Sequence, residues 1–267
     1  MNLVERVQSS FDSAADPRFA EIMRSLVAHL HAFVEDVNLT EEEWATAIDF
    51  LTRTGQNCDA KRQEFILLSD VLGASMAVIA ANHPTGGTAT ESTVLGPFYV
   101  DDAPDFELGA DISGGAAGEP CHFSGTVRGP AGEPVSGALV EVWKSDESGN
   151  YDVQYPELDH AQGRGRLRTD AGGRYEFTSV RPEAYPIPHD GPVGELLTAA
   201  GRGPMRPAHI HFKIAAPGYQ TLITHIFVAG DKYLDADAVF GVKDSLIVNF
   251  ERDSVTFDFV LASSEGS

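Results

Sequence analysis

The sequence predicts a mainly β fold with an α-helical N-terminal region, the β part being a sandwich. Three observations carry this. Between Pro17 and Val37 apolar residues recur at intervals of three and four, the spacing of an amphipathic helix. Beyond Pro84 the texture changes to short apolar runs broken by Gly and Pro, as expected of many strands joined by tight turns. A chain of 267 residues suffices for one large domain, or one with a smaller appendage.

In the first helix Phe19, Ile22, Met23, Leu26, Val27, Leu30, Phe33, Val34 and Val37 form one broad stripe. Thr40 followed by Glu43 is a capping box, so a second helix starts there, carries Trp44, Ile48 and Leu51, and ends near Gly55. A third is predicted from Asp59 to about Ala81, through Phe65, Leu68, Val71 and Leu72, stopping before Pro84. Pro84 to Gly87 reads as a linker, and almost no helix is expected after it. Candidate strands are Phe123–Arg128, Ala138–Trp143, Arg166–Thr169, Arg174–Val180, Ala208–Ile214, Leu222–Val228 and Val255–Leu261. Turn signals separate several of them, at Gly129 to Gly132, Asp146 to Asn150 and Asp170 to Gly173. The expected organisation is a helical region over residues 1–90 and a sandwich over 91–267.

A formal charge of -21 argues against nucleic-acid partners, whose phosphates it would repel, and against anionic membrane surfaces. A neutral or weakly charged substrate suits this field. Two cysteines, Cys58 and Cys121, are too few for a disulfide scaffold or a thiolate cluster. The first residues show no basic stretch leading into an apolar run, and no apolar run approaches the roughly 20 residues that span a bilayer. The chain is expected to be cytoplasmic.

Chemistry concentrates in Arg206-Pro207-Ala208-His209-Ile210-His211-Phe212. On a strand Ala208, Ile210, Phe212 and Ile214 share one face, and His209, His211 and Lys213 share the other. The apolar set supplies the core face, and the two imidazoles, with alpha carbons about 7 Å apart, can lean onto one metal. An H-x-H pair on a solvated sheet face fits the spacing equally well. The other histidines, His29, His31, His83, His122, His160 and His189, are read as solvated or hydrogen-bonded, for want of convergent partners. Two tyrosines sit in loops: Tyr151 after Gly149-Asn150, and Tyr185 in the proline-rich run Arg181 to Pro192. Each alone reads either as loop packing with a wet hydroxyl or as a ligand.

Taken together, Arg206 to Phe212, Gly149-Asn150-Tyr151, Tyr185 ahead of Asp190-Gly191-Pro192, and Glu91 to Val100 resemble the intradiol ring-cleavage dioxygenases. The resemblance runs over most of the chain and implies a transthyretin-like β-sandwich catalytic domain. It implies one ferric ion, Fe(III), per subunit, held by Tyr151, Tyr185, His209 and His211. The helices ahead of the sandwich resemble the dimerising region of the catechol and hydroxyquinol branch, which implies a homodimer and, in some members, a lipid held between the helices. Tyr151 to Gly163, Ala184 to Pro188 and Asp235 to Val242 are most similar to the hydroxyquinol-cleaving members.

The resemblance implies attack of O2 on a small aromatic diol or triol, cleavage between the two hydroxylated carbons, and a dicarboxylate product. Tyr185 would serve as ligand and then as base, and Arg206 would stabilise negative charge on the ring. His225 stands where the catechol-cleaving branch carries glutamine, and as histidine it also titrates near neutrality. Val94, Gly96, Pro97, Phe98, Ile187, Pro188 and Val239 would form the pocket wall, their apolar character being equally what loop packing requires. Leu67 and Asp70 resemble wall residues beside the ring, where a carboxylate could accept from a third ring hydroxyl; Asp70 as a solvated helix residue is the other reading. Competing activities are cleavage of catechol or chlorocatechol, a non-catalytic transthyretin-like binding module and, last, a zinc hydrolase, which lacks an acidic base beside the histidines.

Overall fold

The first three helices each start at a side-chain cap. In the computed structural model, which describes residues 2–59, 62–83 and 87–264, Asn2 and Glu5 form a capping box on α1 (Leu3–Ser9). Asp16 accepts from Arg18 N at 2.9 Å, with Pro17 in the first turn of α2 (Pro17–Asp36). At the head of α3 (Glu41–Gln56) Glu43 N donates to Thr40 Oγ1 at 3.2 Å and Thr40 N donates to Glu43 Oε2 at 2.9 Å, the reciprocal pair the sequence predicts. α1 was not predicted; its seven residues are too few for a periodic signal.

The chain divides into two compact units, residues 1–56 and 57–267. In the first, Gln8 Nε2 donates to the Arg24 carbonyl at 3.0 Å and the Phe11 and Phe19 rings meet edge to face at 6.4 Å. Most of the apolar stripe of α2 and α3 is exposed, Phe19, Leu26, Leu30, Phe33, Trp44 and Ile48 among it, while Val27 is buried.

In the second unit the single helix expected over Asp59 to Ala81 is two, a correction to the sequence reading. α4 (Glu64–Val71) and α5 (Ala74–Asn82) meet at a bend of 76°. Gly73 at φ +73 makes the corner, in a conformation costly for any residue with a Cβ; the unbroken apolar pattern across Val71 and Leu72 hid it. Pro84, where that helix was to stop, and the start of the expected linker lie outside the described residues. No single helix among those described is long and apolar enough to cross a membrane.

The sandwich packs two sheets. One centres on β1 (Pro120–Arg128), flanked antiparallel by β4 (Arg174–Val180) and parallel by β10 (Ser254–Thr256) and β11 (Phe259–Val260). The other runs β3 (Arg164–Arg168), β2 (Leu139–Lys144), β7 (His209–Ala215), β8 (Leu222–Val228), β9 (Ile247–Val248). Between them lie Phe123, Val127, Tyr175, Phe177 and Phe259 from the first sheet, and Val140, Val142, Ile210, Phe212 and Ile226 from the second. The strand expected over Val255 to Leu261 is interrupted because the Asp258 carboxylate, not a backbone carbonyl, takes the Thr126 N–H at 2.8 Å. A two-residue ribbon, β5 (Tyr185–Pro186) with β6 (Met205–Arg206), brackets α6 (Pro192–Ala199). α6 corrects the expectation of almost no helix after the linker: proline-rich 181–192 reads as loop, yet Pro192 stands in the first turn, where proline favours a helix.

Candidate metal centre

The register of the second sheet decides which side chains meet. His211 pairs with Trp143 on β2 and His225 on β8, and His209 pairs with Phe227. These residues share the face turned from the sandwich core. That face is not solvated: His209, His211 and His225 are at most 1% exposed, roofed by the loops that carry Tyr151 and Tyr185.

Each tyrosine reaches the site by a short local device. The turn ahead of Tyr151 is closed by Asp146 Oδ1, which accepts from Ser148 N at 2.8 Å and Asn150 N at 3.0 Å. Gly149, at φ +77, leaves room where a Cβ would come within 2.7 Å of the Tyr185 Cβ. Beyond it Tyr151 stacks on Phe98 at 4.5 Å. Tyr185 pairs directly with Arg206 in the ribbon, so the ribbon delivers both to one side of the histidines.

Four donor atoms form a closed ring. Tyr151 Oη lies 3.2 Å from Tyr185 Oη, Tyr185 Oη 3.3 Å from His209 Nε2, His209 Nε2 3.1 Å from His211 Nε2, and His211 Nε2 2.9 Å from Tyr151 Oη. Donors bound tetrahedrally at about 2.0–2.1 Å lie roughly 3.3–3.4 Å apart, so the ring has the size of a single-ion site. The remaining ring nitrogens are occupied. His209 Nδ1 donates to the Pro207 carbonyl at 2.7 Å, leaving Nε2 a lone pair directed inward. His211 Nδ1 faces His225 Nε2 at 2.7 Å, and His225 Nδ1 faces Thr93 Oγ1 at 3.1 Å, which orients His211 likewise. His209, His211 and His225 together also form a cluster able to hold a metal ion. Of the three, His225 lies behind His211, its Nε2 against His211 Nδ1 and away from the ring of four donors.

Burial sets the electrostatics. It pushes both phenols up, Tyr151 well above the ordinary range; Arg206 draws Tyr185 part of the way back. Burial, then the Arg206 charge, lowers His209 to about 3, and burial holds His211 and His225 well below the usual imidazole range. The imidazoles are thus already in the neutral form a cation needs, and only the phenols would have to give up their protons on binding. Two phenol oxygens, hard and anionic once ionised, with two borderline imidazoles make a donor set better suited to ferric iron than to a soft metal.

A small cleft opens beside the ring, lined by Leu67, Asp70, Val94, Gly96, Pro97, Phe98, Tyr185, Ile187, Pro188, Arg206 and Val239. The structure thus brings together on one surface every residue the sequence reading assigned to the pocket wall. Asp70 is 4% exposed rather than solvated; burial pushes its carboxyl up, and Ser75 and Arg206 offset part of that. Arg206 Nη1 lies 3.1 Å from His209 Nε2. Burial disfavours its charge, but Asp237 and the two tyrosines more than offset this and hold its pKa above the ordinary value.

Sequence reasoning missed the groups behind these. Asp237 pairs with Arg206 (Oδ1 to Nε, 3.0 Å), both nearly fully buried. Asp152 binds Arg164, whose Nη1 also donates to the Phe98 carbonyl at 2.9 Å, so the stack on Tyr151 is pinned from behind. Trp143 stacks on His211 at 4.7 Å. No local signal marks Asp237, whose partner is 31 residues away. The parity of β2 against β7 could have found Trp143.

The comparisons with known proteins converge. The family profile described as "Dioxygenase" matches residues 94–263, and that described as "Catechol dioxygenase N terminus" matches residues 16–90. A hydroxyquinol 1,2-dioxygenase of Nocardioides simplex is 57% identical over 251 residues, 94% of this chain and 85% of that protein. A 6-chlorohydroxyquinol 1,2-dioxygenase of Cupriavidus pinatubonensis is 55% identical over 97% of this chain and 96% of its own. Among solved structures, the hydroxyquinol 1,2-dioxygenase of Pseudomonas putida DLL-E4 superposes with a TM-score of 0.92 at 46% identity, covering 98% of both chains.

Proposed function

Since this chain belongs to the intradiol ring-cleavage dioxygenases, we propose that it cleaves hydroxyquinol (1,2,4-trihydroxybenzene) with O2 to 3-hydroxy-cis,cis-muconate, the enol form of maleylacetate. The carrying observation is the closed ring of Tyr151, Tyr185, His209 and His211 beside a cleft that contains a buried carboxyl. The family is iron(III)-dependent in general; here the four side chains would hold one Fe(III) per subunit. Bound there, the ion would supply Lewis acidity toward a chelating diol and a redox partner for the ring.

The chain's own residues divide the rest. Tyr185 lines the cleft and Tyr151 does not, which supports Tyr185, once ionised, as the group that takes a substrate hydroxyl proton while Tyr151 stays in place. Arg206 faces the same cleft with its charge fixed by Asp237, suited to negative charge growing on the ring. Asp70, already hydrogen-bonded by Ser75, offers a further acceptor to a third ring hydroxyl; plain catechol forgoes that hydrogen bond, a difference of about 1–3 kcal/mol for a charged acceptor. His225 acts through His211, by orienting it.

The test is a comparison of kcat/KM for hydroxyquinol and catechol on protein with its iron quantified. The triol is expected to win by roughly 10–100-fold. Equal rates would overturn the assignment of Asp70, and no ring cleavage of either would overturn the function. We also propose that the exposed stripe on α2 and α3, within the helical region over residues 1–90, forms the interface of a homodimer, with or without a lipid between the helices. A monomer in sedimentation velocity at working concentration would contradict this.

A further inference from the structure

Arg202 sits just beyond α6 and makes no contact with the donor ring. Its guanidinium nonetheless bridges two separate segments. Nη1 donates to the Val71 carbonyl at 2.6 Å and Nη2 to the Ala238 carbonyl at 2.9 Å, while the plane lies 4.7 Å from the centre of the Phe240 ring. Val71 is the last residue of α4, where carbonyls lack helical partners and a cation is favoured. It follows Asp70, on the cleft wall. Ala238 lies between Asp237, which fixes Arg206, and Val239, on the facing part of the wall.

Two further features make this a built junction. Phe240 holds φ +58, a left-handed conformation uncommon for a bulky residue and retained only where neighbours enforce it. Its ring packs on the far side of the α4–α5 corner, 3.6 Å from where a Cβ on Gly73 would stand. The other end of α4 is tied to the same α6: the buried Glu64 carboxylate accepts from Val193 N at 3.1 Å and from Arg62 Nε at 2.8 Å. α6 is therefore a splint along α4, anchored by Glu64 at one end and by Arg202 at the other.

We propose that Arg202 is a positioning residue that sets the width of the substrate cleft, by fixing the α4 wall (Leu67, Asp70) against the Val239 loop. The inference rests on the reading of this cleft as the substrate site. A displacement of about 1 Å in such a wall is enough to cost binding or rate, and the compact ammonium of a lysine in place of Arg202 would not reproduce the planar fork that spaces the two carbonyls.

The experiment compares wild type, Arg202→Met and Arg202→Lys for KM and kcat on hydroxyquinol and catechol, with iron content and thermal midpoint measured on the same preparations. For Arg202→Met the expected result is a rise of about tenfold in KM for the triol, kcat within about threefold, and a triol-to-catechol kcat/KM ratio about tenfold narrower, at wild-type iron content. Arg202→Lys should fall between the two, and it carries the test if the methionine variant does not fold. A lower thermal midpoint with KM and the ratio unchanged within twofold would overturn the proposal. If wild type shows no triol preference, the substrate reading fails separately. The clamp is then judged on KM for whichever diol is cleaved, a tenfold rise supporting it and an unchanged KM overturning it.

Discussion

The two faces of the β2–β7–β8 sheet are equally dry and are held in opposite ways. On one, Ile210, Phe212 and Ile214 pack with Val140, Val142 and the facing sheet. On the other, His209 and His211 pack with Trp143, Tyr151 and Tyr185, and the imidazole nitrogens and tyrosine hydroxyls have named partners. The first face is stabilised by area and density, which are non-directional and tolerate repacking. The second depends on direction: the imidazoles and phenols are tolerated in the interior because another polar group is aimed at each, while the Trp143 indole N–H is buried without a partner. A fold and a site can thus share one strand because alternation gives them separate surfaces.

The contrast is tested most sharply by one truncation on each face. His209→Ala removes a donor from the ring and strands the Pro207 carbonyl. Loss of an outer partner of a metal ligand typically costs about 10–100-fold, so loss of a ligand should cost more, with iron lost together with activity. Phe212→Ala should leave activity per folded molecule within about threefold and cost about 3–5 kcal/mol of stability. At roughly 2–4 °C per kcal/mol for a domain of this size, the thermal midpoint falls by about 6–20 °C. Activity, iron and denaturation measured on both variants check the pair. An iron-replete, active His209→Ala protein would show that the polar face does not hold the metal this way.

The same contrast explains what was legible in the sequence. Alternation within a strand is local, so the helical front, the sandwich, the split of β7 into two faces and the His209–His211 pair could be read from spacing. The position of Tyr151 and Tyr185 opposite that pair depends on turns and a ribbon with no periodic signal, and only family resemblance supplied it. The supporting partners Asp237, Asp152 and Arg164 were missed, because a buried ion pair between distant segments leaves no trace in either one. The α4–α5 corner and α6 were missed for a different reason. A single glycine in an apolar run, and a proline that starts rather than stops a helix, each carry two meanings until the chain is folded.

One group breaks the division. Lys144 pairs with Ile210, so its side chain belongs to the apolar face, and it is 1% exposed, its ammonium donating to the Ser145 carbonyl. Burial lowers its pKa from 10.5 to about 7, against the pull of Asp146, Cys121 and Glu183. Below pH 7 the lysine is charged both folded and unfolded, and the native state bears the full cost of burying the ammonium. Above about 10.5 it is neutral in both and that cost is gone, so between these limits its contribution to stability improves as pH rises. The fall from 10.5 to about 7, at about 1.4 kcal/mol per pH unit, bounds the cost at about 5 kcal/mol. Lys144→Met should therefore stabilise the protein by on the order of 2 kcal/mol at pH 6, after loss of the Ser145 contact, and by progressively less toward pH 10. Chemical denaturation of both proteins at pH 6, 8 and 10 checks this. A difference that stays flat or widens with pH would mean that Lys144 is not carried as a buried charge, and that the apolar face is as uniform as its other residues suggest.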